Sequence, residues 1–294
     1  MNRREFFMTT AMAAAAVGIA QSAAAAPKRN IQKSLKFGMV KGEDANGNPL
    51  SIEQRLQIAI NAGFECVEPG TITDQAEVDQ FKAALDKLEI KLDAIVCGAH
   101  WSSPLSDADT AVYEKTMESM RQSFKNVKDL GGDMVLLVPA VVNPGTMYRD
   151  AWTRSVERTK ILAEEAEKLN ITIGIENVWN KFLLSPLEAK HYIEEIGSDK
   201  VRMWFDVGNV VLFGYPQDWI RTLGPLIARV DVKDFKSETK EFVPLLEGSV
   251  DWPEVMKAFD EIGYQGIMAA EVKGGDEAYL TEIVSQRMDK FIAM

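Results

Sequence analysis

Four apolar runs in the second half of the 294-residue chain each end on a carboxylate, and that repetition limits the fold more than any other feature. Ile171–Ile175 ends on Glu176, followed by Asn177 and Trp179. Met203-Trp204-Phe205 ends on Asp206, then Gly208-Asn209. Ala228–Val230 ends on Asp231, then Lys233-Asp234. Ile267–Ala270 ends on Glu271, then Lys273-Gly274-Gly275. Short continuous apolar runs bounded by turn signals read as buried parallel strands. Ending each on an acid presents polar groups at one edge of the sheet. Helical stretches separate the four runs, at Pro186–Ile196, Gln217–Leu223 and Trp252–Ile262.

The first half has the same grammar. Strands are expected at Leu35–Val40, Phe64–Val67, Lys91–Cys97 and Met134–Val138. Helices are expected at Ile52–Ala62 behind the N-cap Ser51, at Asp74–Leu88, at Asp107–Leu130 before Gly131-Gly132, and at Tyr148–Leu169. Ala278–Phe291 closes the chain as a helix. Eight strand–helix units with no break in composition predict a single-domain (β/α)8 TIM barrel over 35–294, since such barrels of about 250 residues fold as one domain. Their sites form at the C-terminal ends of the strands, where the four acids fall. A doubly wound sheet would need a glycine-rich phosphate turn after the first strand, and Gly42 and Gly47 are wrongly spaced for one.

Residues 1–26 stand apart. Asn2-Arg3-Arg4-Glu5-Phe6-Phe7 has the form of a twin-arginine signal, Met8–Ala20 is an alanine-rich apolar stretch, and Ala23-Ala24-Ala25 offers a small-x-small cleavage site. The apolar stretch is short and followed by Gln21-Ser22, so it spans a bilayer poorly. The expectation is an exported, periplasmic protein without stable membrane insertion once the signal is removed, with 27–34 as a polar linker. A net charge of −11 and a pI near 4.9 argue against a nucleic-acid binder. Cys66 and Cys97 are the only cysteines, each in a strand-like run, so buried thiols are expected rather than a disulfide or a cysteine-based zinc site.

Any one strand-end acid is as well explained by a helix N-cap or an ion pair. Four converging at one barrel mouth would repel one another unless a cation held them. An all-oxygen set suits Mn2+ or Mg2+, with Glu176, Asp206, Asp231 and Glu271 as ligands. A divalent ion there would polarise a sugar carbonyl and stabilise the enediolate formed by proton loss from the adjacent carbon. Glu176 and Glu271 are the candidate acid–base pair.

Cys97-Gly-Ala-His-Trp-Ser-Ser-Pro-Leu-Ser-Asp107, Ile175-Glu-Asn-Val-Trp-Asn-Lys-Phe182, Phe205-Asp-Val-Gly-Asn209, Val232-Lys-Asp-Phe-Lys236, Glu247-Gly-Ser-Val-Asp-Trp252 and Gly263-Tyr-Gln-Gly266 through Glu271 occur in this order. With these segments the chain resembles the sugar phosphate isomerase/epimerase family of xylose-isomerase-like barrels, over nearly everything after residue 34. The resemblance implies metal ligands Glu, Asp, His and Glu at the ends of strands five to eight. Glu176, Asp206 and Glu271 match by position. The histidine falls at Asp231, where the family usually reads His-x-Lys-Asp, and an all-carboxylate site would favour a harder ion.

Around these, Glu68, His100, Trp101, Asn177, Trp179, Lys181, Asn209 and Lys233 are candidate substrate contacts. Each has a plainer alternative as packing, a loop hydrogen bond or a solvated charge. The expected ligand is a small carbohydrate, and homo-oligomerisation is left open. Four activities are in competition. The first is an exported metal-dependent isomerase or epimerase of a keto sugar. The second is a lyase or hydrolase of 3-keto-glycosides on the same barrel. The third is a non-catalytic sugar-binding relative, motivated by the missing histidine. A glycosidase is the fourth, and it would leave Asp206 and Asp231 without a role. A trinuclear-zinc DNA-repair barrel needs many histidines, and this chain has two.

Overall fold

The computed structural model describes residues 29–294. The signal-like segment 1–26 and the first residues of the 27–34 linker lie outside them. Parallel strands β1 (Ile31–Lys36), β2 (Cys66–Glu68), β3 (Lys91–Leu92), β4 (Ala94–Val96), β5 (Met134–Leu137), β6 (Thr172–Glu176), β7 (Val201–Asp206) and β8 (Ile227–Val232) come first. A hairpin of β9 (Asp234–Lys236) and β10 (Glu241–Val243) follows, and then β11 (Gly266–Ala270). The sheet order is β3-β2-β1-β11-β8-β7-β6-β5-β4. Its two ends, β3 and β4, are one strand interrupted at Asp93, so the sheet closes on itself as an eight-strand barrel. Backbone hydrogen bonds from Lys91 to Glu65, Asp93 to Val67 and Val96 to Pro69 seal the closure.

The strand positions differ from the sequence expectation at the first two units. β1 starts at Ile31, so 31–34 is sheet rather than linker, and it ends at Lys36 where the chain turns into a 3-10 helix, Phe37–Met39. Its pairing with β11 and β2 sets that register. The second strand reaches Glu68. The outer ring is α1 (Ile52–Asn61), α2 (Gln75–Leu85), α3 (Thr110–Leu130), α4 (Tyr148–Leu169), α5 (Pro186–Ile196), the single turn α6 (Val207–Val210), α7 (Pro216–Leu223), α8 (Trp252–Glu261), and α9 (Glu277–Tyr279), which passes through a π segment into α10 (Gln286–Ile292). Local chemistry sets their ends. Ser51 and Gln54 form a capping box before α1, Asp109 caps α3, and Gly131 ends α3 in the left-handed conformation at φ 87°. Among the described residues, no helix is long and apolar enough to cross a membrane. Both cysteines are free and buried, and burial pushes the Cys66 thiol up to about 12.

The main apolar core lies between strands and helices. The barrel interior is divided. One side is apolar, with Ala94, Met134, Leu136, Val138, Val178 and Trp204 packed together. The other is ionic. Arg229 reaches Asp93 at 2.8 Å and Asp133 at 3.0 Å, and the Ser34 hydroxyl donates to Asp93. Trp204 fills the centre, with the Lys36 ammonium 4.6 Å and the Arg229 guanidinium 5.6 Å from its ring. Gly174 on β6 makes that possible, because a Cβ there would stand 2.7 Å from the indole.

Candidate active site

Register gathers the acids. Asp206 pairs with Asp231 across β7 and β8, Glu176 pairs with Trp204 across β6 and β7, and Leu35 pairs with Ala270, which sets Lys36 beside Glu271. Parallel partners face the same way, so these side chains share the inner face at the C-terminal rim. One carboxylate oxygen from each of Glu176, Asp206, Asp231 and Glu271 lies within 4.8 Å of the others. Asp206 and Asp231 are fully buried, Glu176 nearly so, and Glu271 is partly open to the cavity.

Two lysines stand among them. Lys36 Nζ lies 2.5 Å from Glu68 Oε2, 2.8 Å from Asp231 Oδ1 and 3.9 Å from Glu271 Oε2. Lys233 Nζ lies 3.0 Å from both Asp206 Oδ2 and Glu271 Oε1. Five carboxylates therefore face two ammonium groups, and the excess negative charge has a physical consequence. Burial, with Glu271 adding repulsion, raises Glu176 well above the usual carboxylate range, and burial does the same to Asp231 despite Lys36. Glu271 goes the other way: against burial, Lys233 and Lys36 hold it down to about 2. Burial would lower both lysines, but the surrounding acids raise them, so both stay charged.

A divalent cation fits this donor set. All the donors are oxygens, they converge from four strands, and Asp231 Oδ2 is buried without a hydrogen-bond partner among the described residues. Asp231, standing where a histidine was expected, gives Oδ1 to Lys36 and leaves the buried Oδ2 without a hydrogen bond among the described residues.

Above the cluster is a cavity of about 760 Å³. Of the sequence-derived contacts, Glu68, His100, Trp101, Trp179, Asn209 and Lys233 line it. His100 is buried with neither ring nitrogen partnered among the described residues, and burial lowers it to about 4, so it is neutral at pH 7. Two expectations are corrected. Asn177 does not reach the cavity. Its amide accepts from the Asp206 backbone N–H and donates to the Asp206 carbonyl, both at 2.9 Å, so it braces the strand that carries Asp206. Lys181 is exposed, outside the cavity, in the left-handed region at φ 61°, because the chain turns away after Asn180. Asn209 has both roles: its side chain donates to the Asn177 carbonyl and its own carbonyl accepts from Trp179 Nε1.

Sequence reasoning missed Lys36 and Phe242. Lys36 had no local signal: it follows Gln32-Lys33-Ser34-Leu35 and falls inside the strand expected at Leu35–Val40, and only register makes it the last residue of β1. Phe242 had none, since only the hairpin brings it over the barrel mouth, where it stacks on Trp179 at 4.9 Å.

Residues 56–288 match the family model described as xylose isomerase-like TIM barrel. L-ribulose-5-phosphate 3-epimerase UlaE of Escherichia coli is 24% identical over 232 residues, 72% of this chain and 79% of that protein. An uncharacterised protein of Methanocaldococcus jannaschii is 26% identical over 190 residues, and the match spans 58% of this chain but only 63% of that protein. The solved structure of an L-ribulose 3-epimerase superposes with a TM-score of 0.75 at 19% identity, over 89% of this chain and 94% of the other, which is a likeness of fold.

Proposed function

The chain belongs to the xylose isomerase-like TIM-barrel family, and from that premise we propose that it is a divalent-metal-dependent sugar epimerase or isomerase. It would move a proton to and from a carbon next to a carbonyl. One observation carries the reading: Glu176 and Glu271 approach a common point from strands separated by β7 and β8, with Asp206 and Asp231 completing an all-oxygen set within 4.8 Å. The 24% identity to an epimerase of a phosphorylated ketose supports the reaction class.

Glu176, Asp206, Asp231 and Glu271 would hold the ion, Mn2+ or Mg2+ by the hardness of the donors, and when bound it supplies Lewis-acid polarisation of a carbonyl. The other groups act directly on the sugar. Glu176 and Glu271 would act as the acid–base pair, one removing a proton from one face of the carbon and the other returning one to the opposite face. Lys233, 3.0 Å from Glu271 Oε1, fixes that carboxylate and keeps it ionised. Lys36 holds Glu68 and Asp231 in place, although burial still raises both carboxyls. Glu68 and His100 line the same cavity. The buried floor limits water at the reacting carbon. The N-terminal pattern of paired arginines, alanine-rich stretch and small-x-small site supports export to the periplasm.

The test is proton exchange. Mn2+-loaded protein in D2O is given a panel of ketopentoses, ketohexoses and their phosphates, and NMR follows loss of the C–H signal beside the carbonyl and appearance of the epimer. Glu176→Gln and Glu271→Gln are each expected to slow exchange about 10³-fold, within the range of a positioned acid or base. Metal-loaded wild type that exchanges no proton on any member would refute the reading.

A further inference from the structure

The cavity is larger and more aromatic than a monosaccharide needs. At the roughly 30 Å³ that liquid water takes per oxygen, the twelve heavy atoms of a hexose occupy at most about 360 Å³. The cavity holds about 760 Å³. Its floor is charged, from Lys36, Glu68, Glu176, Lys233 and Glu271, but its upper wall is not.

That wall is built and held in place. Trp179 follows Glu176 in the loop after β6, and its indole N–H donates to the Asn209 carbonyl at 2.8 Å. Phe242, on the hairpin strand β10, lies nearly parallel to it at 4.9 Å and 19°. Phe235 meets both edge-on at 5.4 Å. The hairpin itself is anchored by the buried Asp234 carboxylate, which accepts from the backbone N–H of Leu246 and from Trp252 Nε1. Trp179 and Phe242 nonetheless stay 42% and 48% exposed, and Trp101 on the same cavity 55%. Trp179 and Phe242 cover one face of each other, and the aromatic surface they still leave in water beside a polar floor marks a place for another flat apolar group. The shelf adjoins the acids, since Lys233 Nζ is 5.7 Å from the Phe242 ring.

We propose that Trp179 and Phe242, with Trp101, form a second subsite for a planar apolar group attached to the sugar, so that the substrate is a glycoside with an aromatic or similarly flat aglycone. This rests on the acid-lined floor being the sugar site. In a glycoside the anomeric carbon is an acetal, so the carbonyl beside the exchanged proton lies on a ring carbon, and an oxidation of the sugar ring is the class of reaction that supplies it.

Matched pairs test it. Methyl and p-nitrophenyl β-glycosides of glucose and galactose are titrated calorimetrically into the Mn2+-loaded chain, beside Phe242→Ala, Phe242→Tyr and Trp179→Ala, with melting curves confirming that each variant is folded. The p-nitrophenyl member is expected to bind at least about tenfold more tightly, as one aromatic stacking contact allows. Phe242→Ala should close that gap and leave the methyl glycosides unchanged, Phe242→Tyr should keep it, and Trp179→Ala should close it whatever it does to the methyl glycosides. Equal affinity within each pair, no binding by either p-nitrophenyl glycoside, or an equal loss for both members in Phe242→Ala overturns the subsite. An intact gap with no proton exchange on any ketose or on the ring-oxidised p-nitrophenyl glycosides overturns the epimerase reading alone, and exchange on free ketoses without a gap overturns the subsite alone.

Discussion

Lys36 carries more of the site than any other single side chain. Its ammonium contacts Glu68, Asp231 and Glu271, and its side chain is 13% exposed. Removing one member of a buried ion pair leaves the partner's charge uncompensated, at a cost of roughly 3–5 kcal/mol. Lys36→Met should therefore lose about 3 kcal/mol at pH 7 in urea unfolding, toward the low end because protons can replace the cation. An unchanged midpoint would mean that the acids already carry their own protons. His100 gives a pH signature. Its folded-state value is lowered to about 4 by burial, so the unfolded chain takes up a proton that the folded chain refuses. The His100 contribution to stability is complete above about pH 6.5 and is lost as pH falls toward 4. Between pH 7 and pH 5 wild type should lose about 2 kcal/mol more than His100→Gln, read from paired denaturant titrations. Parallel curves would place His100 in contact with solvent. These two residues also show the limits of local reading: His100 was visible as a strand-end histidine, whereas Lys36 looked like the interior of a strand until register placed the end of β1 there.

At the scale of elements, the single turn α6 decides where Lys233 points. Gly208 lies so close to β8 that a Cβ would stand 2.5 Å from the Lys233 Cβ and 2.9 Å from its carbonyl carbon. Gly208→Ala should cost about 2 kcal/mol, the usual scale of overpacking, and should lower kcat by moving Lys233 away from Glu271. Gly42→Ala, with nothing within 4 Å of the added methyl, is the control and should change neither. Equal behaviour of the two variants would remove α6 from the positioning of the site. The strand–helix alternation was legible because each unit is written locally, in apolar runs, caps and glycine stops. The β9–β10 hairpin was not. Asp234-Phe-Lys236 reads as the end of a barrel unit, and only its antiparallel pairing with Glu241–Val243 lifts Phe242 over the mouth.

For the whole molecule, the closed barrel holds a concentration of negative charge that folding alone does not neutralise. A cation that binds only the folded state stabilises it by about 2.7 kcal/mol at one hundred times its Kd. For a domain of this size that raises Tm by roughly 5–10 °C. Mn2+ or Mg2+ should produce that shift, EDTA should reverse it, and Asp206→Asn should abolish it. A melting temperature insensitive to both ions and to EDTA would leave the acids as a purely ionic network with the two lysines.

The barrel and its four acid-tipped strands were legible from local pattern, because a (β/α)8 chain repeats one local unit and each acid directly follows its own apolar run. The sequence also marked His100, Trp101 and Trp179 as rim residues, by their place after strands. Tertiary structure alone decided the rest. Asn177 and Lys181 follow Glu176 in the chain yet miss the cavity, because the loop turns the amide onto the Asp206 backbone and the lysine into solvent. Lys36 and Asp231 meet through pairings that run from β1 through β11 to β8. Contacts between strands distant in the chain depend on register and closure, and no local pattern encodes those.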